Sequence, residues 1–221
     1  MLREQLALLG AHAVRQPAGR ALLLHPDMNS RELAADAAHL AATRLYAAGD
    51  GLAGDVVCSA RALPMEAESF QLVFAQHLVD AQPSAGGLVD EIARVMAPGG
   101  LLLWCGFNPW SPWLAWIHWQ TRGGGAVPQT VNADVLRRRL ARAQLTPLAL
   151  DYLGTCWPRR TADAGRTGES RGARLLAPLR STYLLAARKQ RAVLTPLRPR
   201  VARPVSLGAR LAGTPSQRAC A

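Results

Sequence analysis

"DEIARVMAPGGLLLWCGFNPWSPWLAWIHW", residues 90–119, decides how the chain is read. Leu88, Ile92, Val95 and Met96 fall at helical spacing ahead of Pro98, which ends a helix because it lacks the amide hydrogen and clashes with the preceding turn. Gly99 and Gly100 permit backbone angles that other residues resist, so the chain can reverse there into Leu101 to Phe107, an uncharged run that predicts a central strand. The tryptophan-laden remainder is long enough to raise the question of a membrane anchor. A span needs about 20 apolar residues in an unbroken helix, and Gly106, Asn108, Pro109 and Pro112 interrupt this one. The stretch therefore reads as a strand, then a loop leading into a short helix, with no integral membrane segment.

Upstream, "LALLG" (6–10), "RALLLHP" (20–26), "GDVVCSA" (54–60) and "FQLVFAQ" (70–76) are short apolar runs ended by turn-forming residues, and predict buried strands. Ser30 to Ala48 is rich in Ala and Leu, opens with Ser30 as N-cap, and carries Glu32 and Asp36 near the positive end of a helix dipole; it predicts a helix. Downstream, Ala133 to Ala143 predicts a helix, and "LALDYLG" (148–154) and "STYLLAARK" (181–189) predict strands. Strands alternating with helices imply a mainly parallel sheet covered on both faces.

The chain has 221 residues, 49% of them hydrophobic, enough for one domain and an appendage. Its formal charge of +11 is uneven. Residues 1–157 hold 12 Arg and no Lys against 13 acids, whereas residues 158–221 hold 14 Arg plus Lys against Asp163 and Glu169 alone. A basic balance of this kind belongs to a solvated Arg-rich terminus or to a nucleic-acid-binding tail, and does not give the folded part a basic face. The expected organisation is a domain over residues 1–190, with a mobile insertion at 158–180, followed by a disordered basic Pro/Arg-rich tail at 191–221. The four cysteines, at 58, 105, 156 and 220, lack the paired spacing of a metal site. With no apolar leader in "MLREQLALLG", they favour a reduced, cytoplasmic protein.

"ARALPMEAESFQLVFAQHLVD" followed by "LVDEIARVMAPGGLLLWCGFNP" resembles the second half of a class I S-adenosylmethionine-dependent methyltransferase domain of the type 11 group. The residues that carry the resemblance are Leu63-Pro64, Ser69-Phe70-Gln71 and Arg94-Val95-Met96-Ala97-Pro98-Gly99-Gly100. It covers roughly residues 5–155 plus a final strand, and implies a Rossmann-like seven-stranded sheet whose last strand is antiparallel, with the ligand outside the carboxyl ends of the strands. "LTPLRPR" in the tail also resembles a recurrent feature of bacterial methyltransferase-like proteins that carry the Gly-Phe-Asn-Pro stretch.

What the resemblance implies about the site is specific to residues. Gly10 and His12 stand where the family has its Gly-rich loop after the first strand, although no G-x-G pattern is present. Asp27 is the acid at the end of the second strand, suited to the ribose hydroxyls, or else an exposed helix-entry residue. Ser59 and Ala60 take the place of the acid that contacts adenine, and Gln76 ends the fourth strand against the cofactor. His77, Phe107, Asn108, Trp110 and Trp113 are the candidates for the acceptor's pocket. His77 could accept a proton or be a structural histidine at a strand end. Trp110, Trp113, Trp116 and Trp119 recur every third residue and so spread over half a helix. They read as packing of a covering helix, as a lid over an apolar acceptor, or as a surface at a membrane interface.

The functional expectation is methyl transfer from S-adenosylmethionine to an unidentified small acceptor. Two rivals are a catalytically degenerate scaffold and an RNA-associated protein acting through its Arg-rich tail. No catalytic residue is assigned, because a sulfonium leaving group departs neutral and the cofactor carries the hard chemistry.

Overall fold

The structure, a computed structural model, describes residues 2–28, 40–81, 87–121, 129–156 and 176–190. The predicted N-cap Ser30 with Glu32 and Asp36, most of the insertion at 158–180, and the tail from 191 lie outside those residues.

Among the described residues the α-helices and strands are, in order, α1 (Leu2–Ala13), β1 (Gly19–His25), β2 (Leu40–Ala48), β3 (Gly51–Gly54), β4 (Phe70–Gln76), α2 (Leu78–Ala81), α3 (Leu88–Val95), β5 (Met96–Phe107), α4 (Pro112–Gln120), α5 (Ala133–Arg142), β6 (Leu145–Leu153) and β7 (Thr182–Lys189). The strands form a single sheet in the order β3-β2-β1-β4-β5-β7-β6. β1 pairs in parallel with β2 and β4, and β4 with β5. β7 runs against both β5 and β6, so β6 shares the direction of β5. β3 runs against β2 as the second arm of a tight hairpin. The fold is thus the Rossmann-like class I methyltransferase arrangement, with five strands in one direction and two reversed.

The alternation of side chains along the strands builds two cores. Leu22, Leu24, Val73, Ala75, Leu102 and Trp104 face one side, where Leu88, Ile92 and Val95 of α3 and Leu136 and Leu140 of α5 cover them. Leu23, Phe74, Leu103, Cys105 and Leu184 face the other side with Leu9 and Ala13 of α1. β1 and β4 are buried on both faces, as their unbroken apolar runs predict.

Three sequence expectations change. Residues 6–10 are not the first strand but the middle of α1, whose Gln5, Leu9 and Ala13 form a buried stripe at i, i+4 and i+8. A five-residue apolar run has too little period to tell the two states apart. Leu40–Ala48 is a strand rather than the end of a helix, because seven successive residues pair with β1 and that ladder outweighs alanine's helix preference. Residues 54–60 contribute only Gly54 to a strand; Cys58 folds back as an isolated bridge to Leu52.

Pro98 also acts earlier than its position suggests. α3 ends at Val95, and Met96 is already extended, with φ −70° and ψ 134°. A proline disfavours helix in the residue before it, here Ala97, and its ring would clash with the Arg94 carbonyl in a continued helix, so the helix cannot run up to Pro98 and the strand starts five residues ahead of Leu101. Pro98 itself is exposed, and the register with β4 shifts between Phe70 and Leu72, where the ladder tolerates a missing amide.

Candidate functional site

From β1 the chain builds outward to β2 and β3, then returns to build β4 and β5 on the other side, so the strand order reverses between β1 and β4. Ligands of open α/β sheets sit outside the carboxyl ends of strands at such a point. The register aligns Leu24 with Ala75, so His25 and Gln76 leave the sheet at the same level.

Five buried polar side chains meet there: Gln5, His25, Gln76, His77 and Asp80. His25 Nδ1 lies 3.2 Å from Gln76 Oε1, and Gln76 Nε2 donates to Gln5 Oε1 at 3.0 Å. Gln5 Nε2 lies 3.0 Å from His77 Nε2, and His77 Nδ1 lies 2.9 Å from Asp80 Oδ2. The Phe107 amide donates to the same carboxylate oxygen at 2.9 Å, and the Phe107 ring tilts against His77 with centroids 4.4 Å apart. α1, β1, β4, α2 and β5 thus each give a member to one connected network.

The directions of these bonds are determined by chemistry. An amide oxygen only accepts, so His25 carries its proton on Nδ1 and leaves a lone pair on Nε2. That Nε2 is buried and has no partner. Burial pushes His25 below its ordinary range; the bond to Gln76 and the nearby Asp27 carboxylate oppose that shift, and Arg44 adds to it. A neutral imidazole with a free acceptor is what this arrangement can offer to an ammonium or hydroxyl group.

Of the residues singled out in the sequence, Gln76, His77 and Phe107 come together here. Gly10 and His12 do not follow a strand; they lie in α1, as a consequence of the first strand beginning at Gly19. Asp27 follows the first strand of the sheet, not the second, and is exposed. Ser59 is exposed with its Oγ 3.2 Å from the Arg61 amide, closing a local turn, and Ala60 packs into the core under α3. Asn108 uses its side chain to hold the chain: Nδ2 donates to the Pro178 and Arg180 carbonyls at 2.6 and 2.9 Å, and Oδ1 accepts from the Trp110 amide.

α4 begins on Ser111, whose Oγ accepts from the Trp113 amide with Pro112 at the first turn. Trp113 is half-buried and donates from Nε1 to Thr155 Oγ1 at 3.2 Å. Leu114 is the buried residue of this helix, while Trp110 and Trp119 are 73% and 61% exposed. The expectation of four tryptophans packing as a covering helix therefore holds in part for Trp113 alone. Among the described residues no helix is long and apolar enough to cross a membrane.

Sequence reading missed Gln5, His25 and Asp80. His25 gave a signal, a polar residue ending an apolar strand, and Asp80 another, an acid three residues after a histidine. Gln5 gave none, since its partners are 71 and 72 residues away.

The family profile described as "Methyltransferase domain" matches residues 15–104. No relative is found among curated proteins. Solved structures share the chain's fold and little of its sequence. A SAM-dependent methyltransferase from Archaeoglobus fulgidus has 12% identity and a TM-score of 0.57, with 86% of this chain and 95% of that one covered. An S-adenosylmethionine-dependent methyltransferase from Mesorhizobium loti has 13% identity and a TM-score of 0.54, covering 86% and 100%. The 1,6-didemethyltoxoflavin-N1-methyltransferase of Burkholderia thailandensis, solved with its substrate and S-adenosylhomocysteine, has 16% identity and a TM-score of 0.53, covering 86% and 78%. Such identities speak for the fold: residues 15–104 are similar to the methyltransferase-domain profile, and the chain has a class I methyltransferase fold.

Proposed function

We infer that the protein is an S-adenosylmethionine-dependent methyltransferase acting on an unidentified small acceptor. The observation that carries this is the unpartnered, buried His25 Nε2 beside the reversal in strand order. The methionine end of S-adenosylmethionine presents an ammonium, the donor that such a lone pair lacks, so the residues fit the cofactor. His25 would hold that end, with Gln76 fixing its tautomer. When bound, the cofactor supplies an electrophilic methyl group whose loss leaves a neutral thioether.

The chain's own contribution is then alignment and exclusion of water. α1 lies over the carboxyl ends of β1 and β4 through Gln5, and Phe107 gives the network an aromatic face suited to an apolar or aromatic acceptor.

A second reading, a degenerate member kept as a binding scaffold, is favoured by the segment after β1. His25-Pro26-Asp27-Met28 contains no glycine, so the backbone cannot approach a ligand as closely as a Gly-rich loop allows. Calorimetric titration of the full-length protein with S-adenosylmethionine and S-adenosylhomocysteine separates the two. Binding on the order of micromolar, weakened about tenfold or more by His25→Ala, supports the enzyme; no binding up to millimolar ligand supports the scaffold.

A further inference from the structure

We propose that His77 is the proton-accepting group of this site and that the Gln5 carboxamide of α1 occupies the place of the acceptor's own proton-donating group, so that the acceptor is a hydroxyl or amine compound; this rests on the methyltransferase reading above. The first support is the direction of the hydrogen bonds. Gln76 Nε2 donates to Gln5 Oε1, which turns the Gln5 amino group toward His77 Nε2. An amide nitrogen has hydrogens and no available lone pair, so His77 Nε2 must be bare, and its proton sits on Nδ1 facing Asp80. Asp80 Oδ2 is itself fixed by the Phe107 amide. A carboxylate that pins one nitrogen of an imidazole and leaves the other as a base is the arrangement proton transfer requires.

The second support is the backbone. His77 has φ +47°, left-handed for a residue with a side chain, which costs roughly 1 kcal/mol or more. Its amide stays bonded to the Cys105 carbonyl at 2.9 Å, so the strain turns the residue at the strand's end without releasing it from the sheet.

The third is the surroundings. Asp80 faces His77 from α2, Gln5 from α1, Phe107 from β5, and His25 connects through Gln76 from β1. Cys105 and Tyr183, from β5 and β7, are pushed up by burial first and then by the Asp80 charge, and remain neutral at pH 7. An imidazolium formed on His77 therefore has the Asp80 carboxylate beside it and is buffered from water by a 9% exposed side-chain position. In the step itself the acceptor's O–H or N–H bond breaks toward His77 Nε2, and the acceptor's lone pair forms the bond to the methyl carbon. The pair of the breaking C–S bond stays on sulfur, so the positive charge passes from sulfonium to imidazolium. Gln5 is a neutral donor in a bond worth about 1 kcal/mol net, readily exchanged for another.

The test begins with the full-length protein without ligand. Long-range 1H–15N spectra of the histidine rings should show His77 with its proton on Nδ1; a proton on Nε2 overturns the proposal. In a Gln5→Ala background, where no amide donates to Nε2, Asp80→Ala should spread the proton over both nitrogens, and Asp80→Asn, which keeps an oxygen toward Nδ1, should restore the single tautomer; an unaltered tautomer in Gln5→Ala/Asp80→Ala removes Asp80 as the positioning residue. Diethyl pyrocarbonate, which acylates bare imidazole nitrogen, should modify His77 about tenfold faster in Gln5→Ala than in the wild type. An equal rate shows that Gln5 does not cap it. Titration with S-adenosylhomocysteine is read separately: its failure sinks the methyltransferase reading and leaves the tautomer result standing.

Discussion

Arg94 donates from Nη2 to the carbonyl oxygen of Leu63 at 2.8 Å, while the Leu63 amide donates to Glu91 Oε2 at 2.9 Å. Both backbone groups of Leu63 are thus held by one turn of α3, where Arg94 and Glu91 also pair at 2.8 Å and Arg94 reaches the Met65 carbonyl. The Leu-Pro pair and the Arg-Val-Met-Ala-Pro-Gly-Gly run, which are 30 residues apart in the sequence, are two sides of one contact.

Arg94→Ala should lower stability by about 1–2 kcal/mol in urea denaturation, through two carbonyls losing their donor. The ion pair by itself adds little, since the Arg94 side chain is 38% exposed. Glu91 sits below the usual carboxylate range, first because Arg94 bonds to it and then because of the Leu63 amide and the Arg94 charge, against desolvation. A depressed folded value means the contribution is complete above the ordinary pKa of 4.5 and is lost as pH falls through the folded value. The advantage of wild type over Glu91→Gln should therefore be present at neutral pH and shrink as acid is added below that value.

His25 gives a profile of the same sign at higher pH. Burial lowers its pKa from 6.5, so the unfolded chain binds the proton first as pH falls. Its stabilising neutral state is intact above 6.5 and is progressively penalised from there down to the folded value. Stability measured from pH 7 to pH 5 should fall less steeply in His25→Gln than in the wild type.

Gly106 has no room for a side chain. A Cβ there would lie 2.7 Å from Tyr183 Oη and 2.8 Å from Cζ, and Tyr183 is fully buried with its hydroxyl bonded to the Val131 carbonyl at 2.9 Å. A ring cannot swing aside as a flexible chain end can, so Gly106→Ala should cost about 1–3 kcal/mol. Adding Tyr183→Leu should recover part of that loss relative to the two single changes, which a double-mutant cycle by thermal denaturation measures.

The tryptophans of and before α4 should divide by burial. Leu114→Ala should destabilise by about 2 kcal/mol or more, whereas Trp110→Ser and Trp119→Ser should leave stability within about 0.5 kcal/mol. Equal losses at Trp119 and Leu114 in chemical denaturation would contradict the exposed position of Trp119.

The sequence by itself determined the second half of the sheet. β4, α3, β5, α5, β6 and β7 were legible because their runs are long, their periods clear and, around β5, their ends marked by Pro98 and the paired glycines. It also carried His77, Gln76 and Phe107, since residues at strand ends can be named once the strands are known. In the first half β1 was legible too, at residues 20–26, but only the tertiary structure decided the rest. Residues 6–10 and 40–48 have composition that suits helix or strand alike, and pairing with β1 for one and packing on the sheet for the other broke the tie. The same reason governs the site: Gln5 and His25 are brought to His77 and Gln76 from 72 and 51 residues away, and hydrogen bonds between distant residues leave no period in a sequence to be read, whereas Asp80 lies only three residues from His77.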